Sequence, residues 1–252
     1  MLVLKIGGNE LADPEFRAAL GRMVTTMSEQ VLLVHGGGRA IAQMQARLGI
    51  EPVMVDGLRV TDAASLEVAQ MVLSGHTNKL IVAALLAAGA TAVGISGVDG
   101  GLLRCAKKAH DRVDLGLVGE IVEVNERVLS PLLQAEIIPV ISPISLGPNG
   151  EIYNVNADEA AGALAAALQA RAVCFVSNVP AVMDENGDPL RRLTMSQART
   201  LIENGVIRDG MIPKVTTALA ALENGVSQAR IVNLESLANG AGTTFVSTNA
   251  YE

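Results

Sequence analysis

One repeated order constrains this chain most: a short apolar run, a cluster of glycines, then a helical pattern. Leu2–Ile6 ends at Gly7-Gly8, and Val31–Val34 ends at His35-Gly36-Gly37-Gly38. After the first run, Asp13-Pro14 offers an N-cap with proline at the first helical position, and Phe16, Leu20, Met23 and Met27 follow at helical spacing. After the second, Ile41, Met44 and Leu48 recur on one helical face and Gly49 stops the helix. A strand that is apolar on both faces must be covered on both faces. Helices on either side of a parallel sheet meet that condition. Ile137–Ile141 and Val173–Val176 are further apolar runs, and Ala229–Val232 reads as another strand, set between helical patterns. The order predicts an α/β protein with a mainly parallel sheet.

Other stretches read differently. Val53–Val60 carries the hairpin dipeptide Asp56-Gly57. Thr61-Asp62 caps a helix that runs through Leu66, Ala69 and Leu73 to Gly75, and Leu80–Leu86 continues as helix. Leu102–Val122 reads as short, possible antiparallel strands joined by turns, and Ala157–Ala170 as an Ala-rich helix.

Composition excludes several functions. Of 252 residues, 19 are Lys or Arg and 26 Asp or Glu, for a net charge of −7, and only 2% are aromatic. A wide basic face and stacking platforms for nucleic acid are both missing. Cys105 and Cys174 stand alone, without metal-ligand spacing, which fits a reducing cytoplasm. The most apolar stretches, Leu80–Ala88 and Ala160–Leu168, fall short of the ~20 residues a membrane span needs.

Five motifs carry the chemistry. Lys5-Ile6-Gly7-Gly8 puts a cation at the end of an apolar strand, before glycines that let a backbone approach closely; a phosphate turn and a tight turn with a snorkelling Lys are both open. His35-Gly36-Gly37-Gly38 sits between strand and helix, where freed N–H groups form an anion nest. It is neither a dinucleotide fingerprint, because Ile41 stands where the third glycine belongs, nor a P-loop. His35 alone reads as structural. Gly57-Leu58-Arg59-Val60-Thr61-Asp62 offers Arg59 to a carboxylate, or to solvent beside a helix cap. Asn154-Val155-Asn156-Ala157-Asp158 projects two carboxamides from one side of an extended segment and places Asp158 at a helix start, where capping alone would explain the carboxylate but not both asparagines. Asp209-Gly210-Met211-Ile212-Pro213-Lys214 offers Asp209 as an N-cap and sets Lys214 against the dipole of its helix, which a bound anion would explain.

These motifs stand in the order found in the amino acid kinase family, and within it the chain most resembles the acetylglutamate kinases. Val72-Leu73-Ser74-Gly75 with Asn78-Lys79, and Ile138-Pro139-Val140-Ile141, extend the likeness over nearly the whole chain. The resemblance implies a three-layer αβα sandwich around a mainly parallel sheet. Residues 1–170 would bind the acyl amino acid and the dimer partner, and residues 171–252 the nucleotide. The implied reaction moves a phosphoryl group from MgATP to the side-chain carboxylate of N-acetyl-L-glutamate, giving N-acetylglutamyl 5-phosphate in arginine biosynthesis. Lys5 and Lys214 would contact the phosphates, with Asp158 holding both ammonium groups. Gly7, Gly8, Gly37 and Gly38 would surround the phosphoryl group, Arg59 and Asn154 the substrate, and Ser177, Asn178, Val179 and Met211 the nucleotide. Mg²⁺ would ride on the ATP phosphates without direct protein ligands. Arginine-inhibited hexameric members carry an extra N-terminal helix before the Lys-x-Gly-Gly strand. Lys5 stands almost at the start here, so the resemblance implies an arginine-insensitive cytoplasmic homodimer.

The chain also departs from the pattern. Ser177-Asn178-Val179-Pro180-Ala181 stands where the family has Asp in place of Asn178 and Gly in place of Ala181. The segment 232–240 is shorter and less typical than the usual one. The Ser-Asn-Val-Pro stretch resembles kinases acting on carrier-linked aminoadipate or glutamate in lysine biosynthesis. For such a partner, Lys107, Lys108, His110 and Arg112 are the candidate docking cations. A non-catalytic nucleotide or effector sensor on the same fold is the third reading.

Overall fold

The computed structural model describes residues 1–248. In chain order its elements are β1 (Leu2–Ile6), α1 (Pro14–Thr26), β2 (Val31–His35), α2 (Gly38–Arg47), β3 (Met54–Val55), β4 (Leu58–Arg59), α3 (Ala63–Gln70), α4 (Asn78–Ala87), β5 (Ala92–Ser96), β6 (Leu103–Lys107), β7 (Val118–Val124), α5 (Ser130–Gln134), β8 (Ile138–Ser142), β9 (Ile144–Leu146), β10 (Ile152–Val155), α6 (Ala157–Ala167), β11 (Ala172–Val176), β12 (Arg192–Thr194), α7 (Met195–Glu203), α8 (Met211–Glu223), β13 (Ala229–Val232), α9 (Leu234–Ala238) and β14 (Thr243–Val246).

Among the described residues, eight strands form one sheet in the order β12-β14-β13-β11-β1-β2-β8-β5. Every pairing in it is parallel except β13 with β14. The two-residue period of β1 divides its side chains between two cores. Leu2, Leu4 and Ile6 pack with Leu20 of α1 and with Ile81 and Leu85 of α4. Val3 faces the other way, among Ala161 and Leu164 of α6 and Val215 and Leu219 of α8. The result is helix, sheet and helix in three layers. Beside them β6, β7, β9 and β10 close into a small barrel around Cys105, Tyr153 and Val155, so Leu102–Val122 does contain an antiparallel pair, β6 with β7. Among the described residues no helix is long and apolar enough to cross a membrane.

Several turns follow from local chemistry. Asp13 accepts the Glu15 N–H at 2.9 Å and caps α1 ahead of Pro14. Asp56 and Gly57 both take left-handed backbone angles, φ 49° and 79°, as the β3–β4 hairpin turn requires. Two expectations differ from the structure. The helix begun at Asp62 does not stop at Gly75: a π-helical turn, Met71–Thr77, carries it directly into α4. A glycine within a helix costs ~1 kcal/mol but does not by itself end it, and the buried Val72 and Leu73 hold the turn in the core. Asp209 does not cap α8: it sits at φ 50° and the N-cap is Gly210, with no side-chain cap.

The α6 start bears directly on the site. Asn156 is its N-cap, and its Oδ1 accepts the Asp158 N–H at 2.7 Å. The capping duty therefore falls to Asn156 and leaves the Asp158 carboxylate free. Asn156→Ala should lower stability by about 1 kcal/mol, read as a lower urea midpoint at unchanged slope, while Asn156→Ser keeps most of it.

Candidate active site

Lys5 lies on β1, which has β11 on one side and β2 on the other. Its side chain shares the face of Val3 and points toward the start of α6. There Nζ meets Asp158 Oδ1 at 2.8 Å, with the two side chains 17% and 30% exposed. An ammonium inside an apolar strand is tolerable only when paired. The carboxylate gains from the first turn of α6, where the helix dipole favours negative charge.

Glycine turns leave the carboxyl ends of β1 and β2, the region where open α/β sheets bind ligands. They pack backbone to backbone: a Cβ on Gly8 would lie 2.6 Å from Gly37 N. Not every N–H here is available. Gly7 N–H donates to Val176 O at 3.3 Å and Gly36 N–H to Ile6 O at 3.1 Å, so these two tie the turns to the sheet. The Gly7 N–H is thus spent on the sheet, while Gly7 itself lines the larger of the two cavities that meet here. Among the described residues the N–H groups of Gly8, Gly37 and Gly38 take no acceptor, and Gly38 opens α2.

Two cavities meet at this point and share Lys5, Gly8, Gly38 and Asp158. One, of about 480 Å³, extends past Ser177 and Asn178 to Lys214 and Thr217. The other, of about 240 Å³, extends to Arg59 and Asn154 under Met54 and Leu58 of the hairpin. Burial lowers the pKa of the half-buried Arg59, whose guanidinium donates to Gln45 Oε1 and, at 3.2 Å, to Gly38 O. Asn154 Nδ2 reaches Thr61 Oγ1 at 3.4 Å.

A family model described as "Amino acid kinase family" matches residues 1–233. The chain belongs to the amino acid kinase family. It is 54% identical to the acetylglutamate kinase of Roseiflexus sp. (strain RS-1), over 97% of this chain and 93% of that one. It is also 54% identical to the acetylglutamate kinase of Roseiflexus castenholzii, over 94% of this chain and 90% of that one. Among solved structures, smu.665 from Streptococcus mutans UA159 superposes with a TM-score of 0.79 at 28% identity, covering 98% of each chain.

The kinase arranges some residues otherwise than the resemblance implied. Among the described residues Asp158 pairs with Lys5 and not with Lys214, whose Nζ donates instead to Gly210 O, one turn back, at 3.1 Å. Ser177 and Asn178 line the larger cavity. Val179 and Met211 do not: both pack, partly buried, against the core under α6 and α8. Gln45 was not foreseen. It is fully buried, receives Arg59 and donates to Ser65 Oγ at 3.0 Å. Its signal was in the sequence, since it follows Ile41 by four on the apolar face of α2 and is the polar residue in that phase.

His35, at the end of β2, is also completely buried. Burial, helped by the charge of Lys79, lowers its pKa from 6.5 to about 4 against the opposing pull of its bond to Gly36. A base with a depressed folded pKa contributes stability in full above its unfolded pKa and loses it as pH falls toward the folded value. The window runs from 6.5 down to about 4. At pH 5 wild type should have lost roughly 2 kcal/mol from this group relative to neutral pH, and His35→Asn should lack that slope in urea titrations compared at the two pH values.

Proposed function

We propose that the kinase transfers the γ-phosphoryl group of MgATP to the side-chain carboxylate of N-acetyl-L-glutamate, as an acetylglutamate kinase of arginine biosynthesis. One observation carries this reading: a nucleotide-sized and a smaller cavity open onto the same Lys5, with unpaired N–H groups of Gly8, Gly37 and Gly38 around it. A carboxylate oxygen attacks the γ-phosphorus, the bond to the β–γ bridging oxygen breaks, and the electron pair leaves on ADP. The acceptor is already ionised, so no general base is needed, and positioning with charge neutralisation supplies the catalysis. Lys5 neutralises equatorial oxygens, and the three N–H groups hold the moving phosphoryl. Lys214 leaves Gly210 O for the phosphates when the nucleotide binds. Arg59, aimed by Gln45, takes the substrate α-carboxylate, and Asn154 takes a second polar group. Magnesium enters with ATP as part of the substrate. Residues 1–170 serve as the acyl amino acid lobe and 171–252 as the nucleotide lobe, the last four lying outside the described residues. The names of the Roseiflexus relatives support the choice of acceptor.

The docking cations of the carrier-linked reading have partners within the chain. Lys107 pairs with Asp114 at 2.8 Å, Lys108 with Glu159 at 3.1 Å, and His110 and Arg112 both with Asp56. Lys107 and Lys108 each have a carboxylate partner within the chain, and His110 and Arg112 share one. We further propose a cytoplasmic homodimer. The buried free thiols of Cys105 and Cys174 fit a reducing compartment, and Met71 and Leu86, each 52% exposed on one continuous helical run, offer apolar surface for a second copy.

A coupled ADP-release assay should show turnover with MgATP and N-acetyl-L-glutamate and little with N-acetyl-aminoadipate, aspartate or UMP. Lys214→Ala should cut kcat by ~10³ or more with the fold intact, because an equatorial cation is worth that much in phosphoryl transfer. Unchanged turnover in that variant would sink the assignment, whereas absence of turnover in wild type would favour the sensor. Arg59→Met should raise KM for the acyl substrate by ~10–100-fold and leave KM for ATP nearly constant, as expected for loss of a charged hydrogen bond.

A further inference from the structure

We propose that His35 is a positioning residue for the phosphoryl-transfer site: its neutral imidazole, fixed by Asn78, holds the Gly36–Gly37 peptide so that the Gly37 N–H is aimed at the reacting group. This deepens the kinase reading and rests on it. His35 ends β2 on the face of Leu33, opposite to Lys5, and is completely buried. Its Nδ1 lies 3.1 Å from Gly36 O, an atom that only accepts, so Nδ1 carries the proton. Its Nε2 lies 3.2 Å from Asn78 Nδ2.

The orientation of that carboxamide is fixed from both ends. Nδ2 also donates to Val140 O at 2.9 Å, and Oδ1 accepts from Lys79 Nζ at 3.0 Å. Turning the amide over would set donor against donor and acceptor against acceptor. Asn78 therefore gives its N–H to Nε2, and the Nδ1–H tautomer follows. Lys79 is held in turn by Gly94 O at 2.8 Å. Gly94 also makes room, since a Cβ there would lie 1.8 Å from Asn78 Oδ1. The chain of bonds runs from β5 through the exposed Lys79 and the buried Asn78 of α4 to the end of β2.

Its effect reaches the site through peptide geometry. In a planar trans peptide the carbonyl of one residue and the N–H of the next point in opposite directions. Drawing Gly36 O toward His35 turns the Gly37 N–H away from the ring, toward Gly8 and the shared end of the cavities. Gly37 N lies 2.6 Å from where a Gly8 Cβ would stand, and Gly37 lines the smaller cavity. A peptide free to rotate would lose the aim of a donor whose value is in being fixed before reaction.

Two near-isosteric variants separate the two ring nitrogens. In His35→Asn the side-chain NH₂ stands as many bonds from Cβ as Nδ1 does and can still donate to Gly36 O. In His35→Gln the amide reaches the place of Nε2 and leaves Gly36 O without its donor. With wild type first shown to turn over MgATP and N-acetyl-L-glutamate, His35→Gln should lose ~10–100-fold in kcat with both KM values within about threefold, while His35→Asn stays within about threefold of wild type. Equal kcat losses in the two, or a loss confined to KM, would overturn the proposal. Nitrogen-15 shifts of the ligand-free wild type give a measurement that needs no variant and no activity: the Nδ1–H tautomer is expected, and Nε2–H would refute it. Failure of wild type to turn over would instead count against the kinase reading and leave the tautomer result standing.

Discussion

The arrangement depends on one ammonium in the middle of an apolar sheet. Lys5 occupies a position where its neighbours above and below the strand are Val3 and a glycine turn, and where solvation by bulk water is largely denied. Burying such a charge costs several kcal/mol unless a partner stands ready. Asp158 is that partner, and it can be one because Asn156 has taken over the cap of α6. The pair couples an early strand to a helix more than 150 residues later in the chain. It also leaves the ammonium facing the cavities.

Close backbone approach is the second constraint. The turn after β1 and the turn after β2 touch at Gly8 and Gly37. Side chains there would separate the two loops and with them the free N–H donors. The commitments of the other two glycines, Gly7 to β11 and Gly36 to β1, keep the loops from drifting once they have met. Glycine in these motifs thus serves two ends: some positions leave an N–H for a ligand, and others spend theirs on the sheet.

Much of the architecture was legible because its causes are local or periodic. Apolar runs closed by glycine gave the parallel strands; Asp13-Pro14, Asp62 and Asp56-Gly57 acted as caps and turn as their chemistry requires. The helix through Gly75 was misjudged because a π-turn depends on what Val72 and Leu73 pack against, and a local rule about glycine does not contain that. Asp209 has a capping side chain, but its backbone is left-handed and the cap position falls to Gly210, which the local residue type does not contain. Gln45 carried a sequence signal, a polar residue in the phase of an apolar face, but only Arg59 arriving from the hairpin gives it a meaning.

By itself the sequence determined the class of fold, the places where chain and glycine alternate, and the residue types gathered for anionic chemistry. These follow from hydrophobic period and backbone sterics, which act over a few residues. Tertiary structure alone decided which groups remain available. It assigned the cap to Asn156 and the ion pair to Asp158, spent the N–H of Gly7 while leaving that of Gly8, rested Lys214 on Gly210 O, and buried His35 beside Asn78. Hydrogen-bond partners are set by distances between segments far apart in the chain. Whether a given donor is satisfied or free is therefore fixed only once the sheet has closed.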